Sequence, residues 1–262
     1  MDELHWNTAV TSVEPGEVRV RGYSLAELIG RVSFAEAIWL VLRGELPTPP
    51  EARVFEAVLV STIDHGATPP SCLAARTAAS TGAPLSAAVA SGVLCVNRVH
   101  GGAGEEALEL FRAAAGRAGC DVPMAAKAAV AEARATGRRL PGYGHRVHPR
   151  DPRAVRLLEV AEAEGVAGVH VALAREIETE LAAQTGRSLA LNIDGAMAAV
   201  LGDLGFPPDL AGGAFLLARV PGLIAHVREE RERCRPMRRI HPTDHGYDGP
   251  PPRDLPEDRR RR

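Results

Sequence analysis

Apolar positions along the chain recur at helical spacing almost everywhere and at strand spacing only once. Residues 17–22 (EVRVRG) alternate for half a strand and end at Gly22, the one credible β signal. Ser33 and Glu36 stand at capping-box spacing and open FAEAIWLVLRG, a helix that Gly44 closes. Pro47-Thr48-Pro49-Pro50 predicts a turn in which Pro49 and Pro50 suit the start of the next helix, and that helix stops at Asp64-His65-Gly66. SCLAARTAAS and PLSAAVASGVLCV are built of small residues and predict helices able to pack at close range. Glycines 101, 102 and 104 break the chain before EEALELFRAAAGRAG. A second break, Leu140-Pro141-Gly142-Tyr143-Gly144-His145, forms a stiff, glycine-hinged loop ahead of a helix start at Asp151-Pro152. Further helices are predicted over 152–164, 168–186 and 207–233. Helices of this length with short connections and no internal repeat predict an all-α, bundle-like fold and not an α/β sheet.

Composition agrees. Hydrophobic residues make up 45% of the 262 positions but aromatics only 4%, so the core is to be built from Ala, Leu and Val. Ala and Leu are also the strongest helix formers. Basic and acidic side chains number 31 and 33, and a net charge of −2 gives no electrostatic case for nucleic acid or an anionic membrane as partner. Lys127 is the only lysine, so nearly all the positive charge is guanidinium, the group that grips carboxylate and phosphate with a planar fork. Cys72, Cys95, Cys120 and Cys234 lie far apart with no C-x-x-C pair, which predicts reduced thiols. The N-terminus is polar and acidic and unlike a signal peptide, and no apolar run reaches the roughly 18 residues of a membrane span; the expected location is the cytoplasm. Residues 248–262 are rich in Pro and Arg without any period and predict a flexible tail.

Four breaks each place a polar or ionisable residue beside glycine: Asp64-His65-Gly66, His100-Gly101-Gly102, Gly142-Tyr143-Gly144-His145-Arg146 and Asn192-Ile193-Asp194-Gly195. Glycine lets backbone approach a ligand, and helix ends leave amide donors free. Imidazoles and a carboxylate in such places suit proton abstraction next to a polarised carbonyl. Each also has a plainer explanation. A histidine beside glycine can be a satisfied helix cap. Asp194, flanked by LALNI and AMAAVLG, must be largely buried, either as a structural ion pair or as a tuned base. Arg153 and Arg219 are its natural charge partners, while Arg219, in the apolar FLLARVPGLIAH, could instead pair with an internal Glu. His65, His100 and His145 lack a short ligand spacing, so no metal is expected.

Order along the chain adds what spacing cannot. RGYSLAELIGRVSFAEAIWLVLRGELPT, DHGATPPSCLAAR, VHGGAGEEAL, PGYGHRVHPRDPR, LNIDG and LLARVPGLIAHVREE occur in sequence over nearly the full length. Together they resemble the citrate synthase superfamily, with G-x-G-H-R-V and D-P-R the most specific match. LNIDG and RRIHPTDHGY are nearer to citryl-CoA lyases and the C-terminal module of ATP-citrate lyase. Where citrate synthases carry the arginine of I-R-P, this chain has His241.

The resemblance implies a two-domain helical fold, with residues 1–100 and 206–247 forming a large domain and 101–205 a smaller one that closes over substrate. It also implies a homodimer. The implied reaction is Claisen-type carbon–carbon bond formation or cleavage between acetyl-CoA and oxaloacetate. In it Asp194 would act as base, His100 would hydrogen-bond the thioester oxygen and His145 would polarise the ketone. His65, Arg153, Arg219 and His241 would hold carboxylates. Tyr143 and Arg146 would neighbour coenzyme A, which enters as a thioester substrate with no tightly bound cofactor. The alternatives are a true citrate or 2-methylcitrate synthase, or a non-catalytic CoA-binding partner subunit.

Overall fold

A computed structural model describes residues 6–117, 121–145, 149–186, 189–238 and 246–254. Among these the chain forms eleven helices preceded by three short strands. β1 (Thr11–Glu14), β2 (Glu17–Val20) and β3 (Tyr23–Ser24) make an antiparallel ribbon, with Thr11 opposite Val20 and Arg19 opposite Ser24. The expected strand is β2. β1 left no alternating signal because all four of its residues are exposed.

α1 (Leu25–Leu28) is followed by α2 (Phe34–Arg43), capped as the spacing predicts. Ser33 N donates to Glu36 Oε2 at 2.7 Å, Glu36 N donates to Ser33 Oγ at 3.2 Å, and Gly44 ends the helix at φ +91°. α3 (Pro49–Ser61) starts on its prolines, with Thr48 N donating to Glu51 Oε2 at 2.7 Å. α4 (Pro70–Ser80) and α5 (Leu85–Leu94) are the close-packed small-residue pair. A Cβ on Gly92 would lie 2.7 Å from the Ser71 carbonyl oxygen and 3.1 Å from Ala75 Cβ.

α6 (Ala103–Arg117), α7 (Val122–Ala135), α8 (Pro152–Ala163), α9 (Val169–Thr185), α10 (Ile193–Asp203) and α11 (Pro208–Arg233) complete the fold. Gly104 lies inside α6 and is not a break: a Cβ there would stand 2.8 Å from Met197 Cε, so the glycine seats α6 on α10. α10 shows no helical period because Ala196 through Leu201 are completely buried on every side.

The main core joins α2, α3 and α6 through α11. Trp39, Phe55 and Phe206 meet there with ring centroids 4.9–5.5 Å apart. A second core joins Cys72, Ala75, Ala79 and Ala88 to Leu223 and Val227 of α11. α11 therefore serves both cores. Contrary to the sequence expectation, it is long and apolar enough, at a mean hydropathy of 1.5, to cross a membrane. Arg219 and Pro221 interrupt the apolar run, and the helix packs against α3, α4, α5, α6 and α10. Cys72, Cys95 and Cys234 are free thiols; Cys120 and residues 255–262 of the tail lie outside the described residues.

Candidate active site

Each flagged residue among those described stands in a loop between helices, in the first turn of a helix or on α11. The loop between α3 and α4 is closed by Asp64, whose Oδ2 accepts from Gly66 N at 2.8 Å while Oδ1 lies 3.1 Å from His226 Nε2. α11 can pass this loop because it carries Gly222, where a Cβ would be 2.6 Å from the Ile63 carbonyl oxygen. Between α5 and α6, His100 N donates to Asn97 O at 2.8 Å, and Gly101 takes φ +88°. The turn leaves the His100 ring edge-on to Phe215 and its Nε2 2.8 Å from Ser71 Oγ, a hydroxyl buried completely in α4.

The 141–145 loop is fastened to α10. Asn192 N donates to Gly142 O at 2.9 Å, Asn192 Nδ2 to Gly144 O at 2.8 Å, and Gly144 N to Ala190 O at 2.8 Å. Gly142 and Gly195 face each other so closely that a Cβ on Gly142 would lie 2.6 Å from Gly195 Cα. Asn192 also caps α10, accepting from Asp194 N at 3.0 Å and Gly195 N at 3.1 Å. His145 and Asp194 are thus held by one bracket. On α11, Arg219 is buried, donates Nε and Nη2 to Thr62 O at 3.1 Å each, and lies over the Phe215 ring at 4.8 Å.

These segments converge. The His65 and His145 rings meet edge to face at 5.9 Å, and Arg153 Nη1 lies 3.4 Å from His65 Nδ1. Burial, with Arg153, Arg219 and His145 nearby, pushes His65 below the ordinary imidazole range. Burial, then Arg219 and His65, does the same to His100. Burial pushes the Asp194 carboxyl up, and the attraction of Arg153 and Arg219 does not cancel it. Burial likewise lowers Arg219 despite Asp64 and Asp194. The structure therefore gathers His65, His100, His145, Arg153, Asp194 and Arg219 into one electrostatic neighbourhood: three imidazoles, two of which (His65 and His100) are held towards the neutral form, a carboxylate with raised basicity, and guanidinium forks. Such a set can move a proton to or from carbon while holding an anionic substrate.

Arg219 does not pair with an internal Glu. Among the described residues it has no ion-pair partner, and the buried Glu230 is taken by Arg76 and Arg238. Tyr143 turns away from the cluster, its hydroxyl donating to Ala174 O at 2.9 Å on α9. Arg146 and His241 lie outside the described residues. Among the described residues no group of three or more His, Cys, Asp or Glu is placed to hold a metal. A groove of about 830 Å³ between α6 and α7 ends at Arg138, Arg139, Leu140 and Pro141, beside the Gly142 loop.

Three supporting residues carry no assignment from the sequence: Ser71, Asp151 and Asn192. Asp151 had a visible signal as the N-cap ahead of Pro152, and Asn192 as the cap before Asp194. Ser71 had none.

An all-helical fold with this acid–base and guanidinium site defines a class, and the chain belongs to the citrate synthase family: residues 47–242 match the family described as Citrate synthase, C-terminal domain. It is 31% identical over 223 residues to the citrate synthase of Haloferax volcanii, covering 83% of this chain and 57% of that one. Among solved structures, citryl-CoA lyase from Hydrogenobacter thermophilus superposes with a TM-score of 0.90 at 42% identity, covering 97% of this chain and 98% of that chain. ATP citrate lyase from Methanothrix soehngenii, in complex with citrate and coenzyme A, gives 0.82 at 23% identity over 96% and 43%, a likeness of fold alone. The chain spans a little over half the length of the Haloferax relative.

Proposed function

We propose that the protein is a citryl-CoA lyase that cleaves citryl-CoA to acetyl-CoA and oxaloacetate, and catalyses the reverse condensation. The observation that carries this proposal is the meeting of His65 with His145 and Arg153, the latter two within electrostatic reach of Asp194, whose carboxylate accepts no hydrogen bond among the described residues. Likeness over nearly the whole length of a citryl-CoA lyase supports it.

In cleavage, His145 takes the proton of the tertiary hydroxyl, the carbon–carbon bond breaks, and the oxo acid leaves with its new ketone. The electron pair passes to the thioester enolate, whose oxygen receives a hydrogen bond from His100. With Ser71 holding Nε2, the other ring nitrogen is left for that task. Asp194 delivers a proton to the enol carbon. Its raised basicity lets it carry that proton and, in condensation, remove it. Arg153, Arg219 and His65 hold carboxylates, and bidentate guanidinium geometry suits the task. The thioester stays intact throughout and no resident cofactor is required. Coenzyme A is the handle of the substrate, and the basic end of the α6–α7 groove beside Pro141 offers guanidinium groups for its phosphates.

A homodimer is part of the proposal. It is supported by apolar side chains left exposed on or beside the mutually packed α4, α5 and α11, among them Leu94 at 80% and Val99 at 84% exposure. Closure of residues 101–205 over the substrate is supported by left-handed glycines at both ends, Gly101 at φ +88° and Gly205 at φ +77°.

The test supplies citryl-CoA to purified protein and follows oxaloacetate with malate dehydrogenase and free thiol with a disulfide reagent. A lyase produces oxaloacetate without free thiol. Release of coenzyme A from acetyl-CoA and oxaloacetate identifies a synthase instead, the activity named for the Haloferax relative. Neither product forming overturns the proposal.

A further inference from the structure

Two aspartates face the same cationic site in unlike surroundings. Asp151, 1% exposed, is fully bonded. Its Oδ1 accepts from Arg153 N and Arg153 Nε, each at 3.0 Å, and its Oδ2 accepts from Arg153 Nη2 at 2.8 Å and Ile193 N at 3.1 Å. Asp194 is the next residue after that last contact, partly buried in the first turn of α10. Its side chain accepts no hydrogen bond among the described residues, yet Arg153 is the strongest opposing charge it feels, ahead of Arg219. A guanidinium next to a free carboxylate closes on it as a bidentate pair. A carboxylate so paired is a poor base.

We propose that Asp151 prevents this closure and thereby keeps Asp194 available as the base. Asp151 occupies Nε and Nη2, one side of the guanidinium fork, and leaves Nη1 to face His65 and a substrate carboxylate. Through Ile193 N it also anchors the turn that carries Asp194, so Arg153 and Asp194 keep a set separation. Asp151 is a positioning residue: it acts through Arg153 and Asp194 and does not meet the reacting atoms. One carboxylate neutralises the arginine so that the other need not.

The ionisation of the two follows the same division. Burial pushes both carboxyls up, but Arg153 draws that of Asp151 below the ordinary range, whereas that of Asp194 stays above it. The charged and titratable groups acting on Asp194 are Arg153 and Asp151 of the α8 start, Arg219 of α11 and His145 of the 141–145 loop. This inference rests on the proposed role of Asp194 as base, and its first test needs no turnover.

Asp151→Asn keeps the shape and one capping oxygen but removes the charge. The protein is labelled with carboxyl-13C aspartate and titrated without substrate, the Asp194 signal being identified by its loss in Asp194→Asn. The expected result is a lower Asp194 midpoint in Asp151→Asn, with a much smaller fall when the same change is made in Arg153→Gln. In turnover, kcat for condensation falls roughly tenfold or more, and its acid limb moves to lower pH. An Asp194 midpoint that is unchanged or raised overturns the inference. So does a fall of equal size in the Arg153→Gln background. Should Asp151→Asn not fold, Asp151→Glu carries the test: the charge on Arg153 is retained, so the midpoint must stay near that of the wild type, and a fall overturns the inference. Wild-type protein that titrates as described but does not cleave citryl-CoA contradicts the proposed reaction and leaves the pairing intact.

Discussion

Replacing Gly195 with alanine puts a methyl group where two backbone segments already touch. Its Cβ would lie 2.5 Å from the Gly142 carbonyl oxygen, 2.6 Å from Leu191 Cδ1 and 3.0 Å from Gly142 Cα. Ordinary contact begins at 3.4 Å, so α10 and the 141–145 loop must part by about 0.9 Å, the difference between 3.4 and 2.5 Å. Backbone cannot swing aside as a flexible side chain can. The displacement falls on the bonds from Asn192 to Gly142 O and Gly144 O, and hence on the separation of His145 from Asp194. Misplacing reacting groups by about 1 Å costs on the order of 100-fold in rate. Overpacking of this kind also destabilises by roughly 1–3 kcal/mol, and each kcal/mol lowers the melting temperature by about 2–4 °C in a chain of this size. Gly195→Ala is therefore expected to lose about two orders of magnitude in kcat while melting as a cooperative unit a few degrees lower. Gly116→Ala is the control, since a Cβ there meets nothing within 4 Å. Oxaloacetate release from citryl-CoA and a thermal melt give both quantities. A Gly195→Ala enzyme within about threefold of wild-type kcat would refute the claim that this glycine contact sets the alignment, the misalignment cost being far larger.

Further expectations concern individual groups. Ser71→Ala removes the partner of His100 Nε2 and leaves the ring free to turn, so kcat falls roughly tenfold with little change in melting; an unchanged kcat refutes the role of Ser71. Because burial holds the Asp194 carboxyl above the usual range against Arg153 and Arg219, and the base works ionised, condensation fades as pH falls through that raised value; an acid limb in the ordinary aspartate range contradicts this. Burial also pushes Asp203 up, but His170 and the N–H groups of His170, Val171 and Gly168 outweigh it and hold the carboxyl low. The stabilisation from Asp203 is thus complete above the ordinary aspartate range and disappears as pH falls through the lowered folded value. Asp203→Asn then costs roughly 1–3 kcal/mol at neutral pH and flattens the acid side of the stability curve; denaturant melts across pH check both, and equal stability at neutral pH is the contrary result. Arg219→Lys replaces a planar fork with a point charge, so KM for the oxo acid rises roughly tenfold, and an unchanged KM removes Arg219 from substrate binding.

What could be read in the chain depended on whether a contact was local. α2 and α3 announced themselves through Ser33 with Glu36 and through Pro49, because caps act within a few residues. α7 carried similar marks, Asp121 before it and Gly137 behind it, and is simply an element the apolar pattern did not single out. α10 could not be seen as an amphipathic helix, because it is enclosed on all sides. Within the site, the glycine-flanked His65, His100, His145 and Asp194 were visible as residues, and the family resemblance brought them together. Of their supports, the caps Asp151 and Asn192 left a local signal, but the long-range ones did not. Ser71 reaches His100 across 29 positions and Thr62 O meets Arg219 across 157, and neither contact leaves a local trace.

Hydrogen exchange at the acetyl methyl group bears most directly on the proposal that Asp194 moves a proton at that carbon beside His100 and His145. Acetyl-CoA is incubated with the protein in deuterium oxide, together with a dicarboxylate that fills the oxo-acid place but has no ketone, and deuterium in the methyl group is followed by mass spectrometry. Wild type is expected to incorporate deuterium, and folded Asp194→Asn to do so at least about 100-fold more slowly. Exchange by Asp194→Asn at the wild-type rate would show that another group is the base.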